Sequence, residues 1–557
     1  MPWRSLALGD PRLDLAALPS PTTMSNTTIL SPTDSAMLQV PSSLASRTSA
    51  TEKNLSDVSP PPVARWRAWT LLLVFSMAQM LDIFNVTAPT IALPELASDL
   101  GVSYAERQWA INAYSLTFGA FLLTGGRFSA MWGSKSMFVL GFTIVGVCGI
   151  IDGFATNGPM LFVFRAFQGI GAALTIPSAL AMITTMFPSR GEQDRALGIF
   201  AGFGAMGSIV GLVLGGVISQ LLDWRWVFWI SACIILPLSF IAFLLAPSSP
   251  HSDDAPKLKN MDWLGLASIT LAMILFIYAV TEGNNRGWTS AGILAPLIIA
   301  IILLPTFGFL ETKVAEPLIP PVIWTLPGFV PLFVITFSEY LTMNVIIFQE
   351  SLMFQQVWHT SALSAALRTI PFGITGFFTT VSMGFVTPFV APRWILAIGQ
   401  VFMIGGALLV AFAPTPDKYW PMVVPALILT ALGVASGFVA ANIGMIRTPL
   451  AKPSVRIHES TALIGAIFNA DLQIGSTIGL AITTAITTKV NGSDVEDFAG
   501  YKASYWFLVA LCALEAVLAA VALRSRSGTG MADEVESGEQ KSSYLSEEAA
   551  NGTVERL

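Results

Sequence analysis

The chain has 557 residues, of which 54% are hydrophobic and only 11% charged, with a net charge of −6 and a mean hydropathy of +0.67. So little charge excludes a soluble globular protein, because a water-facing surface needs more of it. The acidic excess comes partly from polar ends, and no basic cluster points to nucleic acid.

Residues 1–66 are rich in Ser, Thr and Pro and carry no apolar periodicity, so they are expected to form a disordered tail, as is the acidic stretch 525–557. No signal-peptide core with a cleavage site precedes the first apolar helix, which is expected to act as an uncleaved anchor. Stretches near the ~20 residues that a spanning helix needs begin at about 69–92, 109–130, 137–156, 160–187, 196–221 and 226–247. Two more follow at about 263–281 and 291–312, then six at about 328–348, 364–388, 394–413, 420–446, 461–487 and 503–524. The total is about fourteen, an all-α integral membrane protein. Cys148, Cys233 and Cys512 fall in apolar segments without pairing or metal-ligand spacing and read as packing residues.

Basic residues set the orientation. With the N-terminal tail inside, the inner flanks hold Arg65, Arg67, Arg127, Lys135, Arg190, Arg195, Lys257, Lys259, Lys313, Arg393, Arg447, Lys452, Arg456, Arg524 and Arg526. The outer loops hold Arg107, Arg286, Lys418, Lys489 and Lys502, with Arg225 and Arg368 at helix edges. That excess expects both termini in the cytoplasm. The sequon at Asn491 then faces outward as a candidate glycosylation site, whereas those at Asn26, Asn54 and Asn551 face the cytosol.

An internal repeat orders these helices. GRFSAMWGSKSMFVLGF from Gly126 and GFVTPFVAPRWILAIGQ from Gly384 align Gly126 with Gly384, Lys135 with Arg393 and Gly141 with Gly399, at a constant offset of 258. GSIVGLV from Gly207 and GSTIGLA from Gly475 form a second pair. The expected division is an N-terminal six-helix half over 67–250, a linker with two extra helices over 251–325, and a C-terminal six-helix half over 326–524. Repeat-related halves are how many secondary transporters enclose a midplane binding site.

Five stretches resemble the major facilitator superfamily, in the fungal fourteen-helix drug:proton antiporter group and closest to its aminotriazole-resistance-type permeases. They are LDIFNVTAPTIALPELASDLG (81–101), GGRFSAMWGSK (125–135), RAFQGIGAA (165–173), GSIVGLVLGGVISQLLDWRWVFW (207–229) and FQQVWHTSALSAALRTIP (354–371). The resemblance implies gating and packing roles for Gly126, Arg127, Gly133 and Lys135 in the loop motif, and for Gly207, Gly211, Gly215 and Gly216 in the fifth-helix motif. Two departures stand out: Ala130 replaces the loop motif's acid, and Leu212 replaces a proline. The glycines at every fourth residue make one flat face, which simple helix packing also explains.

Arg165 lies inside the apolar run FRAFQGIGAALTIPSAL. A buried guanidinium needs a partner. Gln168 and Ala172 share its helix face, and Asp82, with Asn85 and Pro89 on its own face, lies at a compatible depth. The matching arginine in the family is implicated in proton coupling. Asp82 is therefore expected to bind the coupling proton, with Arg165 stabilising its ionised form and Gln168 holding the guanidinium. The alternative is a structural ion pair between the first and fourth helices.

Asn85, Glu339, Asp471 and Gln473 are candidate cavity residues, Glu339 as a neutral donor or second proton site. Glu515 reads as structural and His359 as an isolated loop residue. Phe118, Phe121, Phe348, Phe372 and Trp394 suit an apolar cavity, or a lipid-facing surface. No P-loop, HExxH, Cys/His cluster or nucleophile elbow occurs, so neither an ATP-driven pump nor an enzyme is expected, and no cofactor or metal. The expected function is proton-coupled export of small toxic compounds or a secondary metabolite by a monomer. Proton-coupled import, for example of an iron chelate, and a non-transporting sensor are the alternatives. The expected site is the plasma membrane, with the vacuolar membrane as alternative.

Overall fold

The computed structural model describes residues 64–102, 106, 108–187, 189–247, 262–314, 317–326, 328–447, 457–492 and 496–523. Outside them lie the two tails, the expected flanking charges Arg107, Lys257, Lys259, Lys452, Arg456, Arg524 and Arg526, and the Ser493 end of the outward sequon. The sequons at Asn26, Asn54 and Asn551 also lie outside the described residues.

Among the described residues there are fifteen α-helices and no strands. In chain order they are α1 (Arg65–Asp99), α2 (Trp109–Trp132), α3 (Ser134–Gly153), α4 (Gly158–Met186), α5 (Arg190–Leu221) and α6 (Arg225–Leu245). Then come α7 (Trp263–Arg286), α8 (Ala291–Glu311), α9 (Phe329–Leu352), α10 (Ala362–Arg368) and α11 (Ile370–Val386). The last four are α12 (Pro392–Ala411), α13 (Val424–Arg447), α14 (Ile457–Asn491) and α15 (Phe498–Ala522). Thirteen helical stretches are long and apolar enough to cross a membrane, α10 and α11 counting as one. Helix α2 has the length, 24 residues, but not the apolarity. It packs against α4, α7 and α14 and buries Thr124, Arg127 and Ser129, so protein rather than lipid covers its polar groups.

The helix ends follow local chemistry. Asn157 caps α4 by accepting the Met160 amide at 2.9 Å, and Asp262 caps α7 through the Gly265 amide at 2.7 Å. Gly133 alone separates α2 from α3, at φ +86° and ψ 136°, a conformation open to glycine and costly to any side chain. The run expected as one helix over about 364–388 is two, because Pro371 has no amide for the Leu367 carbonyl. As the second residue of α11 it is tolerated. Helices α1 and α14 reach 35 residues each, longer than the ~20 needed to cross a bilayer.

The pairing of helices repeats. In the first six, α1 packs on α5, α2 on α4, and α3 on α4 and α6. In the last six spans α9 packs on α14, α11 on α13, and α12 on α13 and α15. The glycines matched in sequence stand at equivalent contacts. A Cβ on Gly141 would meet the Gly171 carbonyl of α4, and one on Gly399 the Gly433 carbonyl of α13. Likewise Gly207 abuts the Met80 carbonyl of α1, and Gly475 the Phe337 carbonyl of α9. Two six-helix halves therefore form the fold, and they meet along two seams, α5 with α11 and α2 with α14. The inserted helix α7 lies against α2 and α14 at the second seam, with α8 packed on α7.

Candidate functional site

Helix α4 is the most enclosed span, 83% of its most apolar stretch being buried. A charge on it reaches neither water nor lipid headgroups, so its partners must be protein. Arg165 is fully buried. Its Nη2 donates to the Asn85 carbonyl at 2.7 Å, its Nε to the Ala110 carbonyl at 2.8 Å, and its Nη1 to Gln168 Oε1 at 2.8 Å. The guanidinium lies 4.6 Å from the Tyr114 ring centroid. Gln168 passes its own Nε2 to the Val145 carbonyl of α3 at 3.0 Å.

The Asn85 carbonyl is available for a physical reason. Its helical donor would be the amide four residues on, and that residue is Pro89, which has none. Arg165 supplies the missing hydrogen bond from α4. The direct ion pair expected between Arg165 and Asp82 is not formed among the described residues. Asp82 instead accepts a hydrogen bond from the Tyr114 hydroxyl of α2, while the guanidinium fork is filled by two main-chain carbonyls and Gln168. Tyr114 therefore stands between the two charges, hydrogen-bonded to one and stacked beneath the other.

Sequence reasoning missed Tyr114 and also Asp152. Gly149 of α3 lies against Gln168 of α4, a Cβ there falling 3.0 Å from Nε2. The helices run antiparallel, so one turn further on Asp152 comes level with Arg165. Asp152 is fully buried and neither carboxylate oxygen meets a hydrogen-bond donor. An acid inside the apolar run FVLGFTIVGVCGIIDG is the same signal that marks Arg165.

A cavity lies between the halves, bounded by α1, α4, α5, α13 and α14. Its wall includes Gln79, Phe200, Phe438, Asn442, Phe468 and Asn469. None of the four residues expected to line a substrate cavity borders this one. The Asn85 carboxamide faces α6, where it accepts from Ser231 at 3.0 Å. Glu339 is buried in the second half against Gly437 of α13, within electrostatic reach of Glu515. Gln473 lies beside Gly119 at the α2–α14 seam. Asp471 is buried on α14, one turn from Phe468, with no hydrogen-bond partner for either oxygen. Of the expected aromatics, Phe348 is 39% and Trp394 52% exposed, and neither borders this cavity.

Gln79 and Asp82 share one face of α1, three residues apart. Thus the cavity lies one turn from Asp82 towards the Arg65 end. At that end an ion pair joins the halves, Arg447 of α13 with the fully buried Asp194 of α5. Beside it Gly198 of α5 touches Gly384 of α11, and the Arg195 guanidinium lies 5.2 Å from the Phe385 ring centroid. The loop-motif residues gather at the same end. Gly126 and Arg127 are buried and Lys135 lies 5.6 Å from the Phe243 ring centroid, whereas Gly216 is buried towards the other end of α5. At the opposite end Arg225 pairs with Asp99 at 2.7 Å.

One other expectation changes. His359 is not isolated, since its Nε2 is 3.8 Å from a Glu496 carboxylate oxygen. Asn491 ends α14 with its carboxamide engaged, donating to the Asp497 carbonyl and accepting from the Gly500 amide, both at 2.6 Å.

Two six-helix halves with a largely apolar cavity between them have the build of a multi-pass carrier of small molecules. Residues 75–445 match the Major Facilitator Superfamily, and the chain belongs to that family. Membership sets it among transporters of the lipid bilayer and not among enzymes. The chain is 29% identical over 483 residues to the puromycin resistance protein pur8 of Streptomyces alboniger, spanning 84% of this chain and 93% of that one. It is 28% identical over 452 residues to the multidrug transporter mfsC of Aspergillus fumigatus, spanning 79% and 84%. The human organic anion transporter MFSD10 (TETRAN) shares the fold, with a TM-score of 0.58 at 11% identity over 83% of this chain and all of that one.

Proposed function

We propose that the protein exports small organic compounds in exchange for protons, by alternating access of a cavity between its two halves. The observation that carries this is the placement of Asp82, one helical turn from Gln79 in the cavity wall and hydrogen-bonded to Tyr114. A proton on Asp82 changes the charge beside the cavity, and Tyr114 links that change to the Arg165 cluster. The names of the relatives, a resistance protein and a multidrug transporter, support export. In this reading the halves are 67–250 and 326–524, joined through 251–325, and they rock about the α5–α11 and α2–α14 seams. The Asp194–Arg447 end faces the cytoplasm with both termini, and the plasma membrane is the site of action.

The test is transport by the purified chain in proteoliposomes under an imposed pH gradient. Wild type should move substrate against its gradient only when protons flow the opposite way. Asp82→Asn should keep downhill exchange and lose uphill transport. Loss of the fold in that variant would instead favour a structural role for the cluster, and co-directional movement of protons and substrate would establish import.

A further inference from the structure

Arg165 stands as one base among two buried acids. Arg165 and Asp152 are fully buried and Asp82 is 9% exposed. The guanidinium gives its hydrogen bonds to neutral acceptors, two main-chain carbonyls and the Gln168 carboxamide, so its charge is left for the acids to balance. Helix α6 fixes the placement of Asp152 together with α4. A Cβ on Gly149, one turn before Asp152, would fall 3.5 Å from the Phe228 carbonyl oxygen, and the Phe228 ring centroid is 5.7 Å from the guanidinium. The helices packed on α3 carry one charged residue each, Arg165 on α4, Arg127 on α2 and Arg225 on α6. Arg127 lies at the other end of the bundle, and Arg225 is held by Asp99 at 2.7 Å and Asp223 at 3.3 Å. The other titratable groups on these helices are Cys148, one turn back on α3, Tyr114 on α2, and Cys233 on α6, which is exposed. Around Asp82 the same Tyr114 is the titratable neighbour from α2, and the charges of α5 all lie in its first two turns, at the Arg65 end.

We propose that Asp152 is a second proton-binding residue of this site and shares one proton with Asp82, so that a single carboxylate balances Arg165 at any time. With both acids ionised the enclosure carries a net negative charge, and with both protonated it holds an unbalanced guanidinium. One shared proton leaves it neutral, the state that a surrounding without water favours. The two acids open towards different sides. Asp82 lies one turn from Gln79 in the cavity wall, whereas Asp152 is the next-to-last residue of α3, two residues before the exposed Phe154 at the end opposite Arg65. An O–H bond broken at Asp82 is then matched by one formed at Asp152, and the charge of the cluster does not change. This rests on the export reading above only in taking the shared proton as the coupling proton.

The protonated carboxyl groups of the purified full chain in micelles are counted near neutral pH from their infrared C=O stretch, normalised to the amide band. Asp152→Asn should lose one, because Asp82 alone then balances Arg165 as the carboxylate. Asp82→Asn should also lose one, because Asp152 ionises in its place. Adding Arg165→Gln to Asp152→Asn should restore the wild-type count, since Asp82 without a counter-charge keeps its proton. An Asp82→Asn count equal to wild type would overturn the proposal, Asp152 then being a fixed neutral acid. A double variant still one short would overturn it too, both acids then being protonated whatever Arg165 does. Should the double variant not fold, Arg165→Gln alone decides the same point by gaining one protonated carboxyl. Asp82→Ser stands in for Asp82→Asn in the same way, and loss of the fold in both would count against the proposal, because Asp152 would then fail to balance Arg165. If the counts hold and no pH gradient drives transport, the export reading fails alone. If a pH gradient drives transport and Asp82→Asn keeps every protonated carboxyl, the shared proton fails alone.

Discussion

At the residue scale, the arrangement around Arg165 asks for a planar fork. Three acceptors on three helices receive hydrogen bonds from three of its nitrogens. A lysine keeps the charge but concentrates it at one point and reaches fewer acceptors. Arg165→Lys is therefore expected to fold and to lower transport at least about tenfold in the proteoliposome assay. Pro89→Ala tests the other side of the bond. It restores an amide to the Asn85 carbonyl, which should raise the melting temperature of the chain and reduce transport together, because the helix then competes with Arg165 for its acceptor. A fall in both would show that Pro89 acts through packing. The position of Arg165 and its link to Gln168 were legible from a lone charge in an apolar run and a three-residue spacing. Pro89 was legible too, since a proline inside a helix always frees the carbonyl four residues back. The Tyr114 partnership was not, because it depends on how α2 leans against α1. Nor were Gln79 and Asn442, since single carboxamides are common in membrane helices and only the fold sets two of them across one cavity.

At the element scale, the glycine face of α5 is built for contact with α1. A Cβ on Gly215 would come 2.6 Å from the Ala88 carbonyl oxygen and 2.8 Å from its Cα, which are backbone atoms with little room to yield. Gly215→Ala should cost about 1–3 kcal/mol in thermal unfolding. Gly191, on the first turn of the same helix, has open space around it. Its change to Ala should be neutral or stabilising, by up to about 1 kcal/mol. Equal effects at the two sites would argue against tight α1–α5 packing. Helix boundaries were less legible than helix existence. Hydropathy marks the stretch that lipid requires, whereas α1 and α14 run on beyond it through more polar residues at their ends. The division of one span into α10 and α11 was written in Pro371, but a single proline is also compatible with a bent continuous helix.

At the scale of the whole molecule, each end of the bundle carries a charge pair with a different role. Arg447 and Asp194 join the halves at the Arg65 end. Removing it with Asp194→Asn should open that end. A cysteine placed at Ile443, in the cavity wall, should then react at least about tenfold faster with a charged thiol reagent, a shift of roughly 1.4 kcal/mol in the closing equilibrium. No acceleration would mean that other contacts close the cavity. The Arg225–Asp99 pair lies within the first half, beyond the span that ends at Thr90. The Trp224 indole and Arg225 hold the Asp99 carboxyl below the usual carboxylate range. Folding therefore favours its ionised form, and the stabilisation is complete above the ordinary value near ~4 and lost as pH falls through the lower folded value. With its side chain 46% exposed, the pair should contribute less than about 1 kcal/mol. Asp99→Asn should lower the melting temperature slightly at pH 7, and the difference should vanish as pH falls below the lowered folded value.

The inserted helices also have a consequence for the surrounding bilayer. Helix α7 touches α2 of one half and α14 of the other, while α8 leans on α7 with only 17% of its most apolar stretch covered by protein. When the halves rock, α7 must slide against one of them, and α8 drags its wide apolar flank through the fatty-acid chains. In the proposed transport cycle lipid thickness and stiffness then act as a brake, and transport in thicker or stiffer bilayers should be slower.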